Sequence, residues 1–199
     1  FARRPFDLVE LIATWISSGQ LGTRAQQHEA NIAAKLKDDP DRPDHGVLND
    51  VLAREGVERL ALAIALTRAR TIRAPDQALD VTRAEGVLDA HVILPNWTEA
   101  QRQSLLRRGL FDPATYGRVR FHHRSVQEFL AARCLYRLRE KGMSTKALLR
   151  LLFAEQYGEE VVFPSMRAIA PWLALWNRDV LRELMRREPE VLLTLGDPE

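Results

Sequence analysis

A single cysteine, Cys134, excludes an internal disulfide and any zinc site built on several thiolates, and it suits a reducing cytosol. No apolar run approaches the ~20 residues that a membrane-spanning helix needs, so no membrane partner is expected. Charge of one sign is scarce as well: the formal net charge is +2, which offers no bulk attraction to nucleic acid or an anionic surface. The chain has no Gly-x-x-x-x-Gly-Lys-Ser/Thr loop; Gly142-Met-Ser-Thr-Lys146 holds the right letters in another order. A phosphate cradle needs glycines that let successive backbone N–H groups converge and a lysine that reaches the terminal phosphates, so this chain does not hold a nucleotide by that route alone. A Gly-x-Ser-x-Gly elbow is missing too, and His28, His45 and His91 stand in separate segments without ligand spacing. No catalytic constellation survives, and an independent enzyme is not expected. The chain also has neither an initiator methionine nor a signal peptide and opens inside an apparent helix, so it is expected to be part of a larger protein.

What is present is ordinary globular material: 199 residues, 46% hydrophobic and 28% charged, enough for one large domain or two small ones. Pro5 suits the first turn of a helix whose buried face is expected at Leu8, Val9, Ile12 and Ile16, with Gly19 as its stop. Thr23 and Gln26 form a capping box that opens a second helix to about Leu36. Asp38 to Gly46, with four aspartates and two prolines, reads as a solvated loop; its spacing matches no calcium loop. Val47 to about Arg70 is expected to be helical, with a break or kink near Gly56. Pro75, Gly86 and Pro95 punctuate turns and short helices, and Asp89 to Leu94 reads as a short strand. Thr98 and Gln101 form another capping box, starting a helix to Arg108.

The chain is organised around the stretch from Arg118 to Tyr136. Arg118 to His122 alternates as a half-buried strand does, with Val119 and Phe121 on one face and the arginines and His122 on the other. Its partner is Gly109 to Pro113, so a hairpin spans about 109–122. Ser125 and Glu128 read as a capping box, and Val126, Phe129, Leu130, Cys134 and Leu138 make an apolar helical stripe behind it. After Gly142, Ser144 caps a helix to about Gln156. Pro164 begins a strongly apolar helix, and Val180–Arg187 and Pro189–Leu195 follow. Trp97, Trp172 and Trp176 are expected as core or inter-helix anchors.

Phe121-His-His123-Arg-Ser125-Val-Gln127-Glu128-Phe129-Leu-Ala131-Ala132 resembles the Phe-x-His-x-Ser/Thr-x-Gln-Glu-Phe/Tyr-x-Ala-Ala signature of NACHT-type STAND ATPases. About a dozen contiguous residues carry the match; the remainder resembles more loosely the helical regions that flank the signature in bacterial defence-type members. The resemblance implies a winged-helix domain following a nucleotide-binding domain, and it places His123 at the β-phosphate of bound ADP, helping to hold an inactive state. It puts Arg124 nearby as added positive charge. Pro5 matches the proline whose segment approaches the adenine, alongside its plainer reading as a helix-starting residue.

The fold class expected is therefore mainly α: a helical bundle over 1–75, a winged-helix-like unit with one small β-hairpin over 76–142, and the start of a helical repeat array over 143–199. The chain itself carries no cofactor in this reading. The intact protein would bind ADP or ATP with Mg in an upstream nucleotide-binding domain, lie in the cytoplasm, relay a signal to downstream sensor repeats and oligomerise on activation, plausibly in antiviral defence. Two other classes remain. A DNA-binding winged helix would use Arg102, Arg107, Arg108, Arg118, Arg120 and Arg124 as its cationic face, although nucleic acid is not the expected partner. A pure interaction scaffold would bind protein through its helices.

Overall fold

The structure is a computed structural model that describes residues 22–74, 85–156 and 158–194, together with positions 12, 15, 16 and 19. Local capping sets most helix starts. Helix α1 (Arg24–Leu36) begins at Thr23, whose hydroxyl accepts from Gln26 N at 3.2 Å while Gln26 Oε1 accepts from Thr23 N at 2.7 Å. Helix α2 (Asp50–Thr67) begins at Asn49, whose side chain accepts from Leu52 N at 2.8 Å. It runs unbroken through Gly56, contrary to the kink expected there. The glycine serves close approach: a Cβ at position 56 would lie 2.5 Å from Trp97 Cη2 and 2.8 Å from Leu105 Cδ2. Of the first apolar face expected, Ile12 and Ile16 are exposed, and Leu8 and Val9 lie outside the described residues.

Four strands form a sheet in the order β2-β1-β4-β3. Strand β1 (Thr71–Arg73) pairs in parallel with β2 (Val87–Leu88) and antiparallel with β4 (Arg118–Phe121), which forms a hairpin with β3 (Phe111–Ala114). The expected division at position 75 thus falls inside this sheet, with β1 before it and the other strands after. Tyr116 and Gly117, both at positive φ, make the hairpin turn, and the Phe111 and Phe121 rings meet at 4.7 Å on its apolar face. Asp89–Leu94 is not a strand. The Asp89 carboxylate accepts from His91 N at 2.8 Å and from Arg73 at 3.2 Å, and this cap turns the chain into the short helix α3 (Ala90–Ile93). Helix α4 (Glu99–Leu106) then starts from the Thr98–Gln101 capping box, as expected.

Helix α5 (Arg124–Glu140) is the principal partner of α2. Phe129, Leu130, Ala131, Ala132 and Leu135 are fully buried along it. The small residues Ala61 on α2 and Ala131 and Ala132 on α5 let the two backbones close up. Across this interface Glu58, 1% exposed, receives Arg54 Nε at 2.8 Å and Arg137 Nε at 2.9 Å.

The C-terminal part departs from the reading as four short helices. Ser144 caps α6 (Thr145–Leu152) as expected, but that helix stops before Gln156. Phe153–Gln156 (β5) pairs antiparallel with Glu159–Val162 (β6), a second hairpin closed by Gly158 at φ +82°. The fold therefore has two hairpins and a mixed sheet, where one small hairpin was expected. The β-branched run Val161-Val162 before Phe163 is the local signal for β6. Pro164–Met166 is one 3-10 turn, and the apolar stretch behind it yields only the five-residue α7 (Ala170–Ala174). Helix α8 (Arg178–Arg187) and a 3-10 segment at Pro189–Thr194 follow. Trp172 is 4% exposed and meets Phe129 edge-on at 5.2 Å; Trp176 meets Phe129 at 5.4 Å, so both tryptophans anchor α5 to the C-terminal helices.

Candidate functional site at the hairpin–helix junction

The β3–β4 hairpin delivers the chain to α5 through His122 and His123. Strand β4 ends at Phe121, and helical geometry begins at Arg124, so His123, with φ −135° and ψ 130°, is the N-cap residue. The capping box expected at Ser125 and Glu128 does not form. Ser125 lies one residue inside the helix, where its hydroxyl faces back toward the cap position and hydrogen-bonds His123 Nδ1 at 2.7 Å. Glu128 accepts from Arg124 Nε at 2.8 Å, an i,i+4 pair along the helix surface. The N-cap residue itself, His123, makes no side-chain capping hydrogen bond to the first turn of α5. That turn therefore presents donor N–H groups and the positive end of a 17-residue helix dipole beside a half-buried imidazole.

The surroundings of His123 come from α1. His28, 6% exposed, lies with its ring 5.3 Å from Phe129 and 5.2 Å from Trp172. Neither ring nitrogen of His28 has a hydrogen-bond partner in the structure. Burial, then the positive charges of Arg24 and His123, pull its pKa down from 6.5 to about 4, so the ring is neutral at physiological pH. Arg24 also sits 6.0 Å from the Trp172 ring centroid, within reach of a cation–π contact. Burial raises the Glu128 carboxyl above its ordinary value, against the opposing pull of Arg124 and Arg24. Two histidines and an arginine thus gather around one helix start, and only His123 was singled out by motif. His28 carried no local signal except an aromatic-sized residue on the inner face of α1.

Of the other residues considered for a site, Arg124 is on the surface, its side chain 86% exposed and tied to Glu128. Pro5 lies outside the described residues. His122 turns away from His123 and pairs with Asp112 at 2.7 Å. Among the described residues, no three His, Cys, Asp or Glu side chains are gathered to hold a metal ion.

The face expected of a DNA reader is dismantled at two positions. Arg102, 7% exposed, donates to Leu94 O at 3.1 Å, to Trp97 O and to Glu99 at 2.9 Å. Arg108, 1% exposed, donates to Leu36 O at 2.9 Å and Leu48 O at 2.7 Å and pairs with Asp38 at 3.0 Å. Arg102 ties α4 to the turn at Leu94–Trp97, and Arg108 ties the end of the same segment to α1 and the loop that follows it, so neither adds charge to an outer surface. Asp38 is drawn into the same knot: a hydrogen bond from Gly46 N, then Arg108 and His45, hold its carboxyl below the ordinary range.

No helix among the described residues is long and apolar enough to cross a membrane. Comparison with protein-family models, with curated proteins and with solved structures gives no match to this chain.

Proposed function

We propose that this chain is the regulatory portion of a STAND-type signalling ATPase, in which His123 reads the phosphates of a nucleotide held by an upstream domain. The observation that carries the reading is the position of His123. It is half-buried at the start of a long helix, where it makes no side-chain capping hydrogen bond to the first turn, with Arg24 close by. Such a helix start attracts a phosphate through its unpaired N–H groups and its dipole. An imidazole there adds one directed hydrogen bond, while Ser125 on Nδ1 fixes the ring. The topology supports the same reading. A helix, strand β1, two further helices and a hairpin, with β1 antiparallel to β4, resemble the order of a winged helix, to which β2, parallel to β1, is an addition.

The nucleotide supplies the energetic difference between two arrangements; this chain contributes the contact that senses it. Bound ADP would favour the arrangement in which α5 docks its first turn on the phosphates. Exchange would remove that preference and release the segment. The Mg ion and the phosphate loop would belong to the upstream domain, and the helices after Gly142 would lead into sensor repeats. The setting that goes with this reading is a cytoplasmic switch in antiviral defence that oligomerises when active.

The test uses the intact polypeptide, wild type beside His123→Ala. Each is denatured and the released nucleotide is quantified by chromatography. ADP retained by wild type and lost from the variant supports the switch. Equal ADP in both, with unchanged signalling, returns His123 to a structural role and favours a protein-binding scaffold.

A further inference from the structure

On the other side of the β4–α5 junction from His28 lies an open cleft of about 790 Å³ between the end of α2, strand β4 and the first turns of α5. Its rim carries Arg68, Arg70, Arg120 and Arg124, and its floor is apolar, with the buried side chains of Ile64, Phe121 and Ile169. The volume is that of a small-molecule site. Its charge is one-sided. Among the described residues, the only acid on the lining, Glu128, is already held by Arg124 at 2.8 Å. Among the described residues, Arg68, Arg70 and Arg120 have no carboxylate partner, whereas Arg54, Arg73, Arg102, Arg108, Arg133, Arg137 and Arg187 elsewhere all pair with acids. Arg68 also occupies the left-handed position at the end of α2, φ +57°, where glycine is the favoured residue. Its side chain stands there against the backbone preference, at the mouth of the cleft.

We propose that this cleft binds a small amphiphilic anion: a flat apolar or aromatic body with two or more phosphate, sulfonate or carboxylate groups. The body would lie on Ile64, Phe121 and Ile169, where it leaves water, and the arginine forks on three sides would take the anionic groups in charge-assisted hydrogen bonds. Nucleic acid fits less well. The cleft is concave over an apolar floor, and the buried Arg102 and Arg108 do not extend its charge across α4. The site does not rest on the nucleotide reading: His123 is not part of its lining, and Arg124 is the one residue that both invoke.

Pyrene tetrasulfonate, a fluorescent aromatic tetra-anion, is the probe, titrated at low salt against this chain, with inorganic pyrophosphate as a competitor that has charge but no body. The double variant Arg68→Ala/Arg120→Ala changes only exposed side chains, and circular dichroism checks its fold. Wild type should bind the probe, pyrophosphate should compete only weakly, and the double variant should lose about tenfold or more in affinity. His123→Ala should bind as wild type does. Unchanged affinity in the double variant overturns the proposal. So does the absence of probe binding accompanied by arginine-dependent binding of a short DNA duplex, which would make the patch a nucleic-acid surface. Loss in His123→Ala alone would move the anion to the start of α5, supporting the switch while this inference fails.

Discussion

His28 shows how one side chain can carry a pH dependence that no motif announces. Its imidazole is shut between Phe129 and Trp172, with Arg24 on its own helix and His123 on the junction as the positive neighbours, so the charged form has neither solvent nor a counter-ion. Unfolded, the ring takes its proton near pH 6.5; folded, it does so only near 4. Between those values the unfolded chain binds more protons, so stability falls as pH falls. The contribution is full above pH 6.5 and is lost progressively toward pH 4, a change of about 3 kcal/mol. His28→Leu keeps the packing against both rings and removes the titration. Urea unfolding of the two proteins at several pH values should show wild type losing stability relative to the variant, so that the two curves separate as pH drops from 6.5 to 4. Parallel curves would show that His28 is solvated or paired in solution. Cys134 is the opposite case. Burial and the nearby Glu58 carboxylate push its thiol up to about 12, which makes it an inert core residue and no nucleophile.

At the scale of elements, helix starts separate what spacing implies from what geometry delivers. Three Ser/Thr-x-x-Gln/Glu patterns look alike on paper. Thr23–Gln26 and Thr98–Gln101 close reciprocally, while Ser125–Glu128 does not. The difference is where the preceding element ends. The β3–β4 register carries β4 only to Phe121 and lets the chain coil immediately afterwards, so Ser125 is already inside the first turn. Thr98→Ala should therefore cost about 1 kcal/mol in urea unfolding. Ser125→Ala, which loses only the bond to His123, should cost about 0.5 kcal/mol or less. A Ser125 cost equal to that of Thr98 would restore the capping box. The second hairpin is a similar lesson. Its strands are four residues each and are held from outside, by Arg187 on Glu160 at 2.7 Å and over the Phe153 ring at 4.5 Å. The donor of that clamp comes from α8, some thirty residues further along the chain, so nothing local in 153–162 reports it.

For the molecule as a whole, the α2–α5 contact is the axis on which everything else is mounted. It joins residues about seventy positions apart, and the buried Glu58 is met from both helices, Arg54 and Arg137 both donating to Oε1 while Oε2 has only the ion pair with Arg137. Glu58→Ala takes the carboxylate from Arg137 and leaves Arg54 with Glu29 alone at 2.8 Å, and should cost about 3 kcal/mol. Glu58→Gln, which keeps the shape and one acceptor, should fall between. Chemical denaturation measures both, and a loss below about 1 kcal/mol for the alanine variant would mean that the triad behaves as a surface pair. The same axis sets the distance between the two candidate sites. The start of α5 carries both His123, a neighbour of His28 on α1, and Arg124, on the lining of the arginine cleft.

What the sequence determined by itself is whatever depends on neighbours within about four residues. The mainly helical class, the reciprocal caps at Thr23 and Thr98, the first hairpin, the stripe on α5 and the glycine-closed turns all follow from periodicity and from short side chains reaching their own backbone. His123 was legible for the same reason, since its motif is contiguous. Only the tertiary structure decided that α2 passes straight through Gly56, that β1 joins β4, that Arg102 and Arg108 turn inward, and that His28 comes to lie beside His123. It also left Arg68, Arg70 and Arg120 together without acids. These outcomes depend on which surfaces can close against each other without voids or unpaired polar groups. That condition links residues tens of positions apart, so no window along the chain contains it.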